Sequence, residues 1–166
     1  MARARTSEES EAEKNNDLRV TAHAQFALGG IYNILGDYKK AAIYLNKAIE
    51  TKKKYGGITE QLASLYALGQ VALRENKLLE AKSKFAELLK TSEEKKDQKS
   101  VANAKQMLGL IALRENNPNE AIANFTAALP IHNQTQSILG MALTLQGLGD
   151  TFSLLKQFDQ AQAIYG

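Results

Sequence analysis

Side chains able to do covalent or metal chemistry are scarce in this 166-residue chain, which has no Cys and two His, His23 and His132, set far apart. Disulfides and thiolate metal sites are excluded, and two separated imidazoles leave little from which to build a metal centre. The sequence shows no nucleophile with a His partner, no Gly-rich phosphate loop and no paired carboxylates; Leu28-Gly29-Gly30 follows no strand and lacks the later glycine of a dinucleotide loop. The chain is therefore expected to be no enzyme and to hold no cofactor and no metal. What remains is recognition. Arg74 and Arg114 share the context Ala-Leu-Arg-Glu-Asn at a spacing of 40, and two guanidinium groups could grip the carboxylates of an acidic ligand by bidentate hydrogen bonds. The alternative is that each offsets a helix macrodipole and pairs with Glu75 or Glu115. Phe26 and Tyr66 are candidate interface anchors, since aromatic side chains dominate interface energetics; packing between neighbouring elements is their other use. His23 is expected to be an ordinary surface or groove side chain.

Charge and hydropathy narrow the partners. The formal net charge of +3, from 21 basic and 18 acidic residues, is too small an excess to imply nucleic acid or a membrane surface. Lys52 to Lys54 and Lys90, Lys95, Lys96 and Lys99 gather where helices end, and the interleaved Glu93, Glu94 and Asp97 break any continuous basic stripe. These lysines read as solvated helix ends. No apolar run approaches the roughly 18 to 20 residues that span a bilayer, and the opening segment has no secretory apolar core. A cytoplasmic protein is expected, without nucleic-acid or membrane partners.

The elements that would position these groups repeat. Leu28-Gly29, Leu68-Gly69, Leu108-Gly109 and Leu148-Gly149 recur every 40 residues, as do Ala41, Ala81, Ala121 and Ala161, and then Leu45, Phe85, Phe125 and Tyr165. Within a period the apolar residues keep helical spacing. Val20, Ala24, Ala27, Leu28, Ile31 and Leu35 form one face, Gly36-Asp37 interrupts, and Ala41, Tyr44, Leu45, Ala48 and Ile49 form another. This predicts helices over 18–35, 38–55, 58–75, 78–94, 98–115, 118–132, 138–155 and from 158 onward. Asp17, Asp97 and Ser137 are suited to cap first helices, and Asp37 and Asn117 precede second ones, with Pro118 at a first helical position. Pro130 predicts a kink or an early end between Thr126 and Pro130. Residues 1–16, rich in Glu and nearly devoid of apolar side chains, read as a flexible lead-in to a repeat domain over 17–166, in units 17–56, 57–96, 97–136 and 137–166. The glycine column costs roughly 1 kcal/mol of helix propensity at each position. Close approach of a partner helix carrying the Ala column would offset it.

These columns resemble the tetratricopeptide repeat family. Its pattern is matched by Leu28-Gly29, Tyr32, Gly36-Asp37-Tyr38, Ala41, Tyr44 and Ala48, and in part by the later units. The early Trp position holds Gln25, Leu65, Lys105 and Leu145 instead, and the period of 40 is similar to an extended-helix subtype. The resemblance implies an all-α, right-handed superhelical solenoid of four helix-turn-helix repeats, the last incomplete, whose concave groove binds a peptide or helix of another protein. It places in that groove His23, Phe26, Gly30, Asn33, Tyr66, Gln70, Arg74, Asn103, Gln106, Leu110, Arg114, Leu143, Gln146 and Asp150. Members that clamp a C-terminal carboxylate use Lys and Asn where Phe26, Gly30 and Ala67 stand here, so that mode is not expected. The leading reading is a non-catalytic protein-interaction scaffold. A segment of a longer solenoid or multidomain effector that self-associates through its C-terminal edge, at Phe152, Leu155, Phe158, Ala161 and Tyr165, is the alternative, and a nucleic-acid-binding solenoid a distant one.

Overall fold

The structure, a computed structural model, describes residues 7–155. Seven α-helices and no strand occur among these residues: α1 Ser7–Ile34, α2 Tyr38–Tyr55, α3 Ile58–Arg74, α4 Leu78–Glu94, α5 Gln98–Arg114, α6 Pro118–Gln134 and α7 Ile138–Leu154. The described residues fall into two compact units, divided between Lys77 and Leu78. In the first, α1 and α2 form a hairpin and α3 packs on α2; in the second, α4 packs on α5, α5 and α6 form a hairpin, and α7 packs on α6 and touches α5.

The turns repeat every 20 residues. One or two residues after each of α1 to α6 the backbone adopts a left-handed conformation, at Gly36, Gly56, Asn76, Lys96, Asn116 and Gln136, with φ between 54 and 78°. The next backbone N–H then reaches five residues back, as from Asp37 to Tyr32 (2.9 Å), Asn117 to Ala112 (2.8 Å) and Ser137 to His132 (2.9 Å). This closes the helix end by satisfying a carbonyl that has no partner within the helix. The following helix is then capped by a side chain: Asp37, Asp97, Asn117 and Ser137 accept the N–H of Lys40, Ser100, Glu120 and Gly140.

Two expectations are corrected. α1 begins at Ser7, not after Asp17, so Asp17 lies inside a helix instead of capping one. Ala, Glu and Lys favour helix over 7–16. Likewise α6 runs through Pro130 to Gln134. Pro130 removes one N–H bond to Thr126, but both residues are on the exposed face, while Phe125, Ala128 and His132 are buried on the other. The helix predicted from 158 onward lies outside the described residues.

The glycine column has its reason in contacts. A Cβ on Gly29 would lie 2.6 Å from Leu45 Cγ and 3.3 Å from Ala41 O, and one on Gly109 would lie 2.8 Å from the Phe125 ring. The helices approach because the small residue faces both columns of the partner, not the Ala column alone. Phe125 also presses on Gly147 of α7, where a Cβ would meet the ring at 2.4 Å. One buried ring thus joins three helices around Ala112, Ala121 and Leu148.

Candidate functional site

In the second unit, helical periodicity brings positions 106, 107 and 110 of α5 beside 143, 146, 147 and 150 of α7. They line a cleft of about 230 Å³ formed by Gln106, Met107, Leu110, Phe125, Leu143, Gln146, Gly147 and Asp150. Phe125 reaches it because Gly109 and Gly147 leave room for its ring. Of the residues expected in the groove, the structure gathers Gln106, Leu110, Leu143, Gln146 and Asp150 here, an apolar interior with a polar edge. The lining holds one carboxylate and no basic side chain.

Gln106 is anchored from behind. It is buried, and its Oε1 accepts from Nε2 of His132, 3.0 Å away. His132 is completely buried in α6, and burial lowers its pKa, which keeps the ring neutral. Nδ1 of the ring and Oγ1 of Thr144 are buried without a hydrogen-bond partner. Asn103 is half-buried, whereas Gln146 and Asp150 are exposed. Arg114 is exposed in the last turn of α5 and lies outside the cleft lining.

The first unit arranges its expected residues differently. His23 is exposed and its Nδ1 donates to Arg19 O at 2.8 Å. Phe26 is half-buried with the Lys52 ammonium 4.5 Å from its ring centroid. Asn33 is half-buried with its Oδ1 unpartnered. Tyr66 and Gln70 are half-buried; burial raises the Tyr66 pKa and a hydrogen bond to Gln70 opposes it. Arg74 is exposed at the end of α3. Glu75 and Glu115 pair with Lys77 (3.0 Å) and Lys82 (2.9 Å), so the arginines do not take them as partners.

Lys52 departs most from its reading as a solvated helix end. Lys53 and Lys54 are exposed, but Lys52 is 2% exposed, and its Nζ donates to Glu60 O and Ser64 Oγ, both at 2.8 Å. Desolvation lowers its pKa to about 8, against an opposing contribution from Glu60. With Ser92 and His132, Lys52 forms a buried polar column at the 40-residue spacing; that column was the available signal. A second, open cleft of about 570 Å³ lies between α1 and the α2–α3 turn, at Asn15, Arg19, Tyr55 and Thr59. Among the described residues no three His, Cys, Asp or Glu could share a metal ion, and no helix is long and apolar enough to cross a membrane.

Two family models described as tetratricopeptide repeat match residues 22–55 and 66–134. The chain belongs to the tetratricopeptide repeat family. Among curated proteins none matches significantly. The tetratricopeptide repeat chain is similar to the crystal structure of BtubC (BKLC) from P. vanneervenii, with a TM-score of 0.75 at 18% identity, covering 89% of this chain and 61% of that one. It is also similar to the apo form of RapI, with a TM-score of 0.83 at 15% identity, covering 90% of this chain and 42% of that one. It thus spans less than two thirds of either relative, and at these identities the likeness establishes the fold. Family membership makes this a repeat-based protein-interaction scaffold, of a kind that is typically non-catalytic.

Proposed function

We propose that the cleft between α5 and α7 receives an apolar side chain from an extended peptide or helix of another protein. The observation that supports this is the cleft itself: Met107, Leu110, Leu143 and the Phe125 ring form an apolar interior, edged by Gln106, Gln146 and Asp150. An apolar anchor entering such a recess supplies affinity, and the polar edge selects the backbone or neighbouring side chains around it. His132 occupies the Gln106 carbonyl oxygen, so Gln106 meets a ligand through its amide N–H groups. Arg114, one turn beyond Leu110, is the residue for an acidic neighbour of the anchor.

Selection from a random peptide library on the whole chain tests the reading. Enriched peptides should share one large apolar residue, and Leu143→Lys should weaken them at least tenfold, or about 1.4 kcal/mol. Ile138→Lys, on the same helix but outside the cleft lining, should leave affinity unchanged. Ligands that bind Leu143→Lys as well as the parent would place the site elsewhere.

A further inference from the structure

The outward face of α2 differs in chemistry from that of the other second helices. Helical periodicity sets Lys39, Ile43, Lys47, Glu50, Lys53 and Lys54 on one side, and all six are exposed. The same positions are exposed in α6, which packs on α5 and α7, so a second helix turns this face to solvent even with both neighbours in place. In α6 they are Asn119, Ala123, Ala127, Pro130, Asn133 and Gln134, with no charge among them. The whole of α2 carries six lysines and one glutamate, whereas α4 mixes three lysines with four glutamates. Helix stability does not account for the excess. Lys53 and Lys54 suit the negative end of the macrodipole, but Lys39 and Lys40 stand in the first turn, where cations are disfavoured and where α4 and α6 carry Glu80 and Glu120. Asp37 pairs with Lys40 at 2.9 Å; Lys39, Lys53 and Lys54 make no ion pair among the described residues. Lys40 and Lys47 are held over a stacked pair of rings, Tyr32 and Tyr44, whose centroids lie 5.4 Å apart. Their ammonium groups stand 5.2 and 5.5 Å from those centroids, which reduces the freedom these side chains would lose on binding.

We infer that this face of α2 docks an acidic segment of another protein, with carboxylates along the lysine row and an apolar side chain on Ile43. Charge complementarity supplies the attraction, and the row from Lys39 to Lys54 is about 22 Å long, the span of four turns of a partner helix. Ile43 decides the class of partner. It is 51% exposed in the middle of the basic face, at a position held by Ser83 and Ala123 in the other second helices. A continuous phosphate backbone would meet Glu50 within the row and leave Ile43 in water. A peptide can set a neutral or basic side chain opposite Glu50 and bury Ile43 under an apolar one. This surface lies within the first unit and does not rest on the cleft between α5 and α7.

Fluorescence anisotropy on the whole chain tests this with a labelled peptide of about 20 residues, built of Glu and Ala with a Leu pair at its centre, long enough as a helix to cover α2. The parent should bind it. Changing Lys39, Lys47, Lys53 and Lys54 together to Gln should weaken binding about tenfold or more, and Ile43→Gln alone about fivefold. Changing Lys90, Lys95, Lys96 and Lys99 together to Gln alters the net charge by the same amount in the second unit, and should leave affinity at the parent's value, as should Leu143→Lys in the cleft. All the substituted lysines and Ile43 are exposed, so circular dichroism should match the parent throughout. Equal loss in the two lysine variants would reduce the attraction to net charge and overturn the inference. So would an Ile43→Gln chain that binds as the parent does, or a parent that ignores the peptide. Tighter binding of a single-stranded oligouridylate or of phosphatidylserine vesicles than of the peptide would overturn it in favour of a nucleic acid or a membrane.

Discussion

Replacing the buried Lys52 by Met should stabilise the first unit at neutral pH and do the opposite in alkali. Lys52 is 2% exposed and its amine titrates at about 8 instead of 10.5, chiefly through desolvation. Holding that proton in the folded state at pH 7 costs about 3 kcal/mol relative to the unfolded chain, at about 1.4 kcal/mol per pH unit. Met has a similar length and no charge to desolvate. It forfeits two hydrogen bonds, to Glu60 O and Ser64 Oγ, worth about 1 kcal/mol each. Ser64 Oγ donates to Glu60 O at 3.1 Å, so that carbonyl keeps a partner. The balance is a gain of about 1 kcal/mol at pH 7, or roughly 2–4 °C in Tm for a chain of this size. The unfolded chain keeps the proton to higher pH than the folded one, so parent stability rises between about 8 and 10.5. Met cannot follow, and the difference should change sign near pH 9. Urea unfolding followed by circular dichroism at pH 7 and pH 10, parent against Lys52→Met, reads both values. A variant less stable than the parent by the same margin at both pH values would show that the ammonium is fully compensated where it lies.

Other perturbations separate the physical causes at work elsewhere. Gly29→Ala drives a Cβ to 2.6 Å from Leu45, whereas a Cβ on Gly30 meets nothing within 4 Å; calorimetry should show the first losing about 1–2 kcal/mol and the second gaining up to about 1 kcal/mol. Lys96 holds φ at 57°, so Lys96→Gly should raise the denaturation midpoint by the equivalent of about 1 kcal/mol, and a loss would mean the Lys96 side chain contributes more than the strain. Burial depresses the His132 pKa below 6.5. The unfolded chain therefore takes up that proton first as pH falls, and stability is lost below about 6.5. His132→Gln should flatten this acid-side slope in urea midpoints measured from pH 7.5 to 5, and an unchanged slope would assign it to other groups.

The 40-residue columns carried the helices and the turns because each reports a constraint that neighbours in sequence and space share. Asp37, Asp97, Asn117 and Ser137 cap as their types require, and Gln106, Gln146 and Asp150 reach one cleft because 3.6-residue periodicity leaves them no other side. Asp17 failed as a cap because strong helix formers upstream outweigh the local preference of one Asp. Pro130 failed as a stop because α6 is held by buried contacts at Phe125, Ala128 and His132. Gly147 belongs to no column, and its role emerges only once the Phe125 ring is in place. Lys52 and His132 escaped a residue-by-residue reading because a basic side chain near a helix C-terminus suits solvent equally well. Only their shared spacing with Ser92 marks the site as interior.

That interior column also constrains what a groove position can be. Phe26 and Gln106 occupy equivalent places on their first helices, and each is held by the residue 26 positions later on its own second helix. Lys52 lies over the Phe26 ring at 4.5 Å, while His132 bonds the Gln106 amide oxygen at 3.0 Å. A cation over an aromatic face and a neutral imidazole donating to an amide are different solutions to one problem, a polar side chain enclosed at a helix seam. Exchanging the groove residue alone would therefore cost more than a surface substitution. An aromatic ring at position 106 would leave His132 with both ring nitrogens unpartnered, since Nδ1 already has none. Groove chemistry and seam polarity must change together, and the accessible variation in ligand preference is correspondingly greater at exposed positions such as Gln146 and Asp150.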